Sequence, residues 1–423
     1  MKRFVACLLA VLMVAAMLPM AAVAEGEQTV LRVTWWGSQA RHDLTMAAIA
    51  KFEEKNPDIK IEPEFTDWGG YWSRLATQAA GGMLPDVIQM DYQLLGQYVQ
   101  SGLLSEMDSY FTSGAINVSD IDDSVIKSGQ VDGVTYALSC GTNAYATFYR
   151  PDVLEAAGVE LPMQPTYDDI VRICTEVYEK TGRTNDTPTN KDGVRMLLRS
   201  EGKDFFNEDG TALGFVDPSY LVRLWEQRLA AQEAGWCLKA DELTQISAYD
   251  SMVSDVWLSW HYSNELAGYE EGNGCELEMV CWPVDTDATT APTFLKPSMF
   301  WSIQADSKVK DAAARFIDFF TNDPECYDIM GLDRAVPVSS KIRDYVAPQV
   351  DKAGQKQIAY LNYLTENGLV SPIYPADPTP SAEIETLLGE YWDNVDYGMV
   401  DDLTAYAQQF IDEANAILQK AAE

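Results

Sequence analysis

The chain has 423 residues, with 30 Lys and Arg against 65 Asp and Glu, a formal charge of −35, two histidines and 11% aromatic residues. A surface that negative repels phosphate backbones and anionic headgroups, which argues against nucleic acid and membrane-surface partners. Two histidines without HExxH spacing, cysteines without CxxC spacing and the lack of a GxSxG elbow give no zinc site and no serine-hydrolase nucleophile.

Residues 1–24 read as a secretory leader: Lys2 and Arg3 precede an apolar run from Phe4 to Met17, and Ala22-Val23-Ala24 closes it with a small-x-small pattern. Cys7 lies too near the start to serve as a lipid-anchor cysteine. The expectation is therefore a soluble mature chain from Glu25, with a charge of −37 once Lys2 and Arg3 are gone, working in the periplasm or outside the cell. No later run is long and apolar enough to cross a membrane. About 400 residues leave room for two or three domains. The six remaining cysteines, Cys140, Cys174, Cys237, Cys275, Cys281 and Cys326, are too sparse for a disulfide scaffold and are open to either bridges or buried thiols. Cys275 and Cys281 end a strand-like CELEMVC and would stand about 20 Å apart, too far to pair with each other.

From Leu31 the chain gives a strand, LRVTWW, then a helical stretch over 39–55 with Leu44, Ala48, Ile49 and Phe52 on one side, stopped by Asn56-Pro57. Ile59, Ile61 and Phe65 alternate in a second strand. A helix carrying Tyr71, Leu75 and Ala79 follows and ends at Gly81-Gly82; PDVIQM, residues 85–90, is a third strand, with another helical stretch after it. This βαβαβ order predicts a parallel sheet with right-handed crossovers.

Ligands of open parallel sheets bind beyond the carboxyl ends of the strands. Those ends carry Trp36 and Ser38, Asp67 and Trp68, and Asp91 and Tyr92. WWGSQA has one glycine and a bulky tryptophan where a phosphate-binding turn needs close backbone approach, so no nucleotide cofactor is expected. Flat aromatic faces beside carboxylates suit a sugar: C–H patches bury on the ring and charged acceptors take the hydroxyls. Core packing is the competing reading of each ring. Strand parity separates the two tryptophans, with Trp35 sharing the core side with Leu31 and Val33 and Trp36 facing the rim. His42 reads as an ordinary helix position.

PDVIQMDYQLLGQYVQSGLLSEM, residues 85–107, resembles the maltose-binding-protein-like family of extracellular solute-binding proteins of carbohydrate ABC importers. LRVTWWG, IAKFEEKNPDIKIEPEF, NEDGTALGFVDPSYLVRLWEQRLAAQEAGW, PSMFWSIQADSKVKDAAARFIDFF and YGMVDDLTAYAQQFIDEANAIL resemble further segments in the family's order. The resemblance implies two α/β lobes, each a mainly parallel sheet flanked by helices, with the ligand between them. The first lobe would take residues 25–143 and 302–335, and the second 148–297 and 340–423. Crossings would fall near 142–150, 298–304 and 332–340. In WHYSNEL, Trp260 takes the position of the family's sugar-stacking tryptophan and Tyr262 that of a second aromatic. QMDYQ matches a segment supplying an aromatic and an acid; Met90 stands where the aromatic is usual, leaving Tyr92 to provide the ring beside Asp91. Asn143, Trp301 and Arg334 fall in or beside the crossings.

The function so implied is capture of a sugar by hinge closure and delivery to the membrane subunits of an importer, by a monomer with no cofactor, metal or catalytic residue. A binder of a polyamine or amino-acid derivative is the alternative. A glycosidase is the third reading, and it meets no repeat of eight strand-helix units in this chain.

Overall fold

The computed structural model describes residues 28–239, 242 and 256–422, so the leader sequence lies outside the described residues. The first strand, β1 (Thr29–Trp36), buries Leu31, Val33 and Trp35 completely, and Thr34 as well, because helices cover both faces of the sheet. Helix α1 (Gln39–Lys55) turns Ala48, Ile49 and Phe52 onto the sheet. β2 (Ile59–Thr66) pairs parallel with β1, Leu31 opposite Ile61, and forms the edge of the sheet. An edge strand tolerates Pro63, which has no N–H to give. Helix α2 (Trp68–Ala80), β3 (Val87–Met90) and helix α3 (Tyr92–Gln100) complete the expected order, and β3 runs parallel to β1 on its other side.

Two later segments extend this sheet. β4 (Leu138–Ser139) lies at its far edge, and β10 (Phe300–Ile303) inserts antiparallel between β3 and β4. The second sheet holds β6 (Tyr145–Tyr149) between β7 (Leu258–Tyr262) and β8 (Glu278–Val280), both antiparallel to it. Among the described strands, the parallel arrangement expected in each lobe is found in β1–β3, while the second lobe has two isolated parallel bridges, Thr166 with Val284 and Asn185 with Cys237. Of the strand-like CELEMVC, only the part from Glu278 to Val280 pairs, and all six cysteines are free thiols.

Between the two sheets the chain passes three times, and each passage contributes a short strand: β5 (Gly141–Asn143), β9 (Lys296–Pro297) and β11 (Val336–Pro337). β5 sits in the middle, antiparallel to both neighbours. The approach is close enough that a Cβ on Gly141 would stand 2.2 Å from the Arg334 carbonyl oxygen. Ala335 meets this turn with φ of 79°, a conformation that favours glycine. The second passage therefore comes at 296–297, ahead of the expected 298–304, most of which forms β10.

The second lobe contains α4 (Tyr167–Thr181), α5 (Lys191–Arg199) and α6 (Ser219–Glu233). Helix α7 (Lys310–Asn322) packs Phe316 and Phe320 on the first sheet. Helix α8 (Ser340–Val346) stays with the first lobe, where the Ser340 N–H donates to Asp120 O at 2.8 Å and the Tyr345 hydroxyl to Asp328 at 2.7 Å. The return to the second lobe comes after α8 and not at residue 340. Helix α9 (Lys352–Glu366) makes that return, with the Tyr360 hydroxyl donating to Tyr145 O at 2.5 Å. Helices α10 (Ser381–Asp396) and α11 (Leu403–Ala422) close the second lobe around Trp225, Trp392 and Phe410. Arg228, 1% exposed, ties α6 to α10 through Asp396 at 2.5 Å.

Candidate ligand-binding cleft

Each of the first three strands ends on a residue that caps the next helix. Ser38 accepts from the Arg41 N–H at 3.3 Å, Asp67 from Gly70 at 2.9 Å and Asp91 from Gln93 at 2.9 Å. These oxygens satisfy N–H groups that the helix cannot bond internally. Helix capping accounts for the polar residues that recur at the strand ends. Ser38 and Asp67 act as helix caps and line neither of the two hollows described below; Asp91 caps and also lines the first of them.

That cavity, about 480 Å³, opens between the lobes. Trp68, Asp91 and Tyr92 come from the first lobe; Tyr262 at the end of β7, α5 and the segment 373–377 face them from the second; Lys296 to Ser298 form the floor. Trp68 is 49% exposed and rests edge-on against Trp36 and Trp72, at 5.0 and 5.3 Å between ring centres. The Tyr92 hydroxyl crosses the cleft to donate to the Tyr374 carbonyl. A second hollow of about 590 Å³ shares Tyr262 and the floor with the first, and is lined by Asn143, Arg41, Asp333 and Arg334.

The second-lobe wall is a network of charges. Arg195 holds Asp377 at 2.6 Å and Asp204 at 2.9 Å, with Asp192 at 3.7 Å, while its guanidinium lies 3.8 Å from the centre of the Tyr374 ring. Lys191 binds the same Asp377 and reaches Glu385 at 2.5 Å. Burial pushes the Asp377 carboxyl up, but Arg195 and Lys191 outweigh it and hold the group below the usual carboxylate range. Burial raises the Asp91 carboxyl and lowers the Lys296 ammonium, whose Nζ sits 4.2 Å from the centre of the Tyr262 ring. Tyr145 donates to Asp192 and stacks on Tyr262 at 3.9 Å.

Of the residues singled out from sequence, Trp68, Asp91, Tyr92 and Tyr262 meet in the first hollow, and Asn143, Tyr262 and Arg334 in the second. Arg334 is 7% exposed, hydrogen-bonded to Thr45 and Gln89, with burial lowering its pKa. Three tryptophans lie elsewhere. Trp36, 7% exposed, is enclosed by Trp68, Tyr71 and Trp72. Trp301, 1% exposed, packs on Phe316 and Phe320 because its strand is internal to the sheet. Trp260 shares a strand side with Tyr262, but α4 covers that side at Trp260, which sits against Trp282 and a small apolar gap with Tyr167 and Trp236. His42 is no ordinary helix position: buried, it accepts from the Trp35 indole N–H at 3.1 Å.

Sequence reasoning missed Lys191, Asp192, Arg195, Lys296, Tyr374 and Asp377. A signal existed in KDGVRMLLR, where Lys191, Arg195 and Arg199 recur every fourth residue and so form one cationic stripe on α5.

Two sheet-based lobes, three connecting passages and a polar, aromatic-edged cleft define a two-lobed solute-binding fold. The chain belongs to the family described as bacterial extracellular solute-binding protein, whose model matches residues 47–358. It is 29% identical over 344 residues to the lactose-binding protein of Rhizobium radiobacter, covering 75% of this chain and 76% of that one. Its identity to the mannitol-binding protein of Pseudomonas aeruginosa is 25%, over 78% of this chain and 70% of the relative. A solved extracellular solute-binding protein of family 1 from Alicyclobacillus acidocaldarius superposes with a TM-score of 0.86 at 27% identity, covering 93% of this chain and 99% of its own. The family and these relatives are binding proteins. No described helix is long and apolar enough to cross a membrane.

Proposed function

We propose that the protein captures a carbohydrate between its lobes and delivers it to an ABC importer without chemically altering it. The observation that carries this reading is the cleft itself: the open face of Trp68 stands beside Tyr92, Tyr262 and the carboxylates Asp91 and Asp192 in a hollow of about 480 Å³. Relatives named for lactose and mannitol support it. The ring offers area to sugar C–H groups while the carboxylates accept from hydroxyls.

In this reading the sheet of β5, β9 and β11 is the hinge. One lobe takes residues 28–139 and 300–347, and the other 145–295 and 352–422. Ligand contacts from both sides, Trp68 and Asp91 from one and Tyr262 and Asp192 from the other, stabilise the closed form over the open one. The protein acts as a monomer outside the cytoplasm after loss of residues 1–24, with no cofactor and no catalytic residue.

Thermal unfolding against a library of mono- to trisaccharides, polyamines and amino acids tests the reading. A saccharide should raise the melting temperature and be recovered intact. Stabilisation by a polyamine or amino acid alone, or release of new reducing ends, would overturn it.

A further inference from the structure

We propose, on the carbohydrate reading above, that the cleft selects neutral saccharides over uronates. Most charges of the hollow's second-lobe wall are already committed to one another.

An anionic sugar needs a cation that it can neutralise. Lys191 and Arg195 are engaged with Asp377, Glu385, Asp204 and Asp192. Lys296 has no ion-pair partner among the described residues, yet Asp91, Asp192, Glu265 and Asp377 all act on its ammonium from around it. Asp192 and Asp377 already face Arg195 and Lys191, so a ligand carboxylate brought to Lys296 would compete with Asp91 and Glu265 for a single cation. Losing its water there without a dedicated partner is costly, and like charges across an interface act against the wrong ligand. The chain's charge of −35 opposes its approach as well.

That objection does not apply to a neutral polyol. Its hydroxyls can donate to Asp91 and Asp192 and accept from the three N–H groups of Lys296, and its C–H face can lie on Trp68.

Titration calorimetry on the full protein tests this with a set of neutral mono- to trisaccharides and digalacturonate. At least one neutral sugar should bind, with digalacturonate at least about 100-fold weaker, as expected when an uncompensated charge must be buried. Asp377→Asn takes one carboxylate from Lys191 and Arg195 and should strengthen digalacturonate binding at least about tenfold. Digalacturonate binding the unsubstituted protein as tightly as the best neutral saccharide would overturn the proposal while leaving carbohydrate capture intact. Binding of a polyamine or amino acid, with every saccharide failing, would remove the carbohydrate reading and this proposal together.

Discussion

Trp68→Ala separates the cleft from the core most directly. The ring is 49% exposed, and its edges touch Trp36 and Trp72. A tryptophan side chain presents up to about 250 Å², so on the order of 120 Å² of it is open to a ligand. If a sugar's C–H face covers about half of that, the gain at ~25 cal/mol per Å² is about 1.5 kcal/mol. The variant should therefore bind the best saccharide about tenfold more weakly. Losing the edge contacts should cost the ligand-free protein only about 1 kcal/mol, a fall of a few degrees in melting temperature. Titration calorimetry with the best saccharide, beside circular-dichroism melts without it, measures both. Unchanged affinity would refute the assignment of Trp68 as the sugar platform. A fall of more than about 10 °C in the ligand-free melt would show that the ring belongs to the core.

Trp260→Ala should behave in the opposite way, costing the ligand-free protein about 3 kcal/mol in urea unfolding because it opens a cavity against Trp282; a normal unfolding midpoint with lost saccharide binding would return Trp260 to the cleft. Arg195→Met strips the ion pairs from Asp204 and Asp377 at a side chain 1% exposed, and should cost about 3–5 kcal/mol at pH 7. Because Asp377 is held below its ordinary value of 3.8, its stabilisation is present above that value and lost as pH falls through the depressed one. The penalty for Arg195→Met should shrink when urea unfolding is repeated near pH 3, and an equal penalty at both pH values would refute the pairing. Gly141→Ala would place a Cβ 2.2 Å from the Arg334 carbonyl oxygen and should destabilise by about 1–3 kcal/mol. Gly389→Ala in α10, with open space around it, should stabilise by about 0.5–1 kcal/mol, and equal effects of the two in urea unfolding would refute the close crossing of β5.

The first 75 residues of the described chain were legible because their signals are local. The span 39–55, read from apolar spacing and its Asn-Pro stop, is the helix Gln39–Lys55, and Trp35 lies on the buried side that parity assigns. Strand-end parity then misled for Trp36. A face turned to the rim is open only if no neighbouring element covers it, and Tyr71 and Trp72 from α2 cover it here. The same limit separates Tyr262 from Trp260. Strand alternation gives them one side, but whether that side meets the cleft or α4 depends on packing between segments about 90 residues apart in sequence, for which alternation carries no information.

The cationic wall was illegible for a related reason. Read alone, the stripe of Lys191, Arg195 and Arg199 is a solvated helix face, since charges four residues apart are usual there. It becomes a buried wall only because 373–377 lays Tyr374 over Arg195 and brings Asp377 to both Lys191 and Arg195, from 186 and 182 residues further along the chain. Asp91 shows how one residue can belong to both kinds of signal. Its cap on α3 is a local requirement, shared with Ser38 on α1 and Asp67 on α2, and is visible in sequence as a polar residue before a helix. Its place in the cleft is set by β3, whose neighbour β10 continues from the crossing strand β9; of the three caps, the one on the strand beside β10 meets the second lobe. Removing the cap and removing the ligand contact are therefore separable at Asp91. Asp91→Asn keeps a good N-cap while deleting the charge, so it should weaken saccharide binding with little loss of stability, and an equal loss in both would mean that Asp91 acts only as a cap.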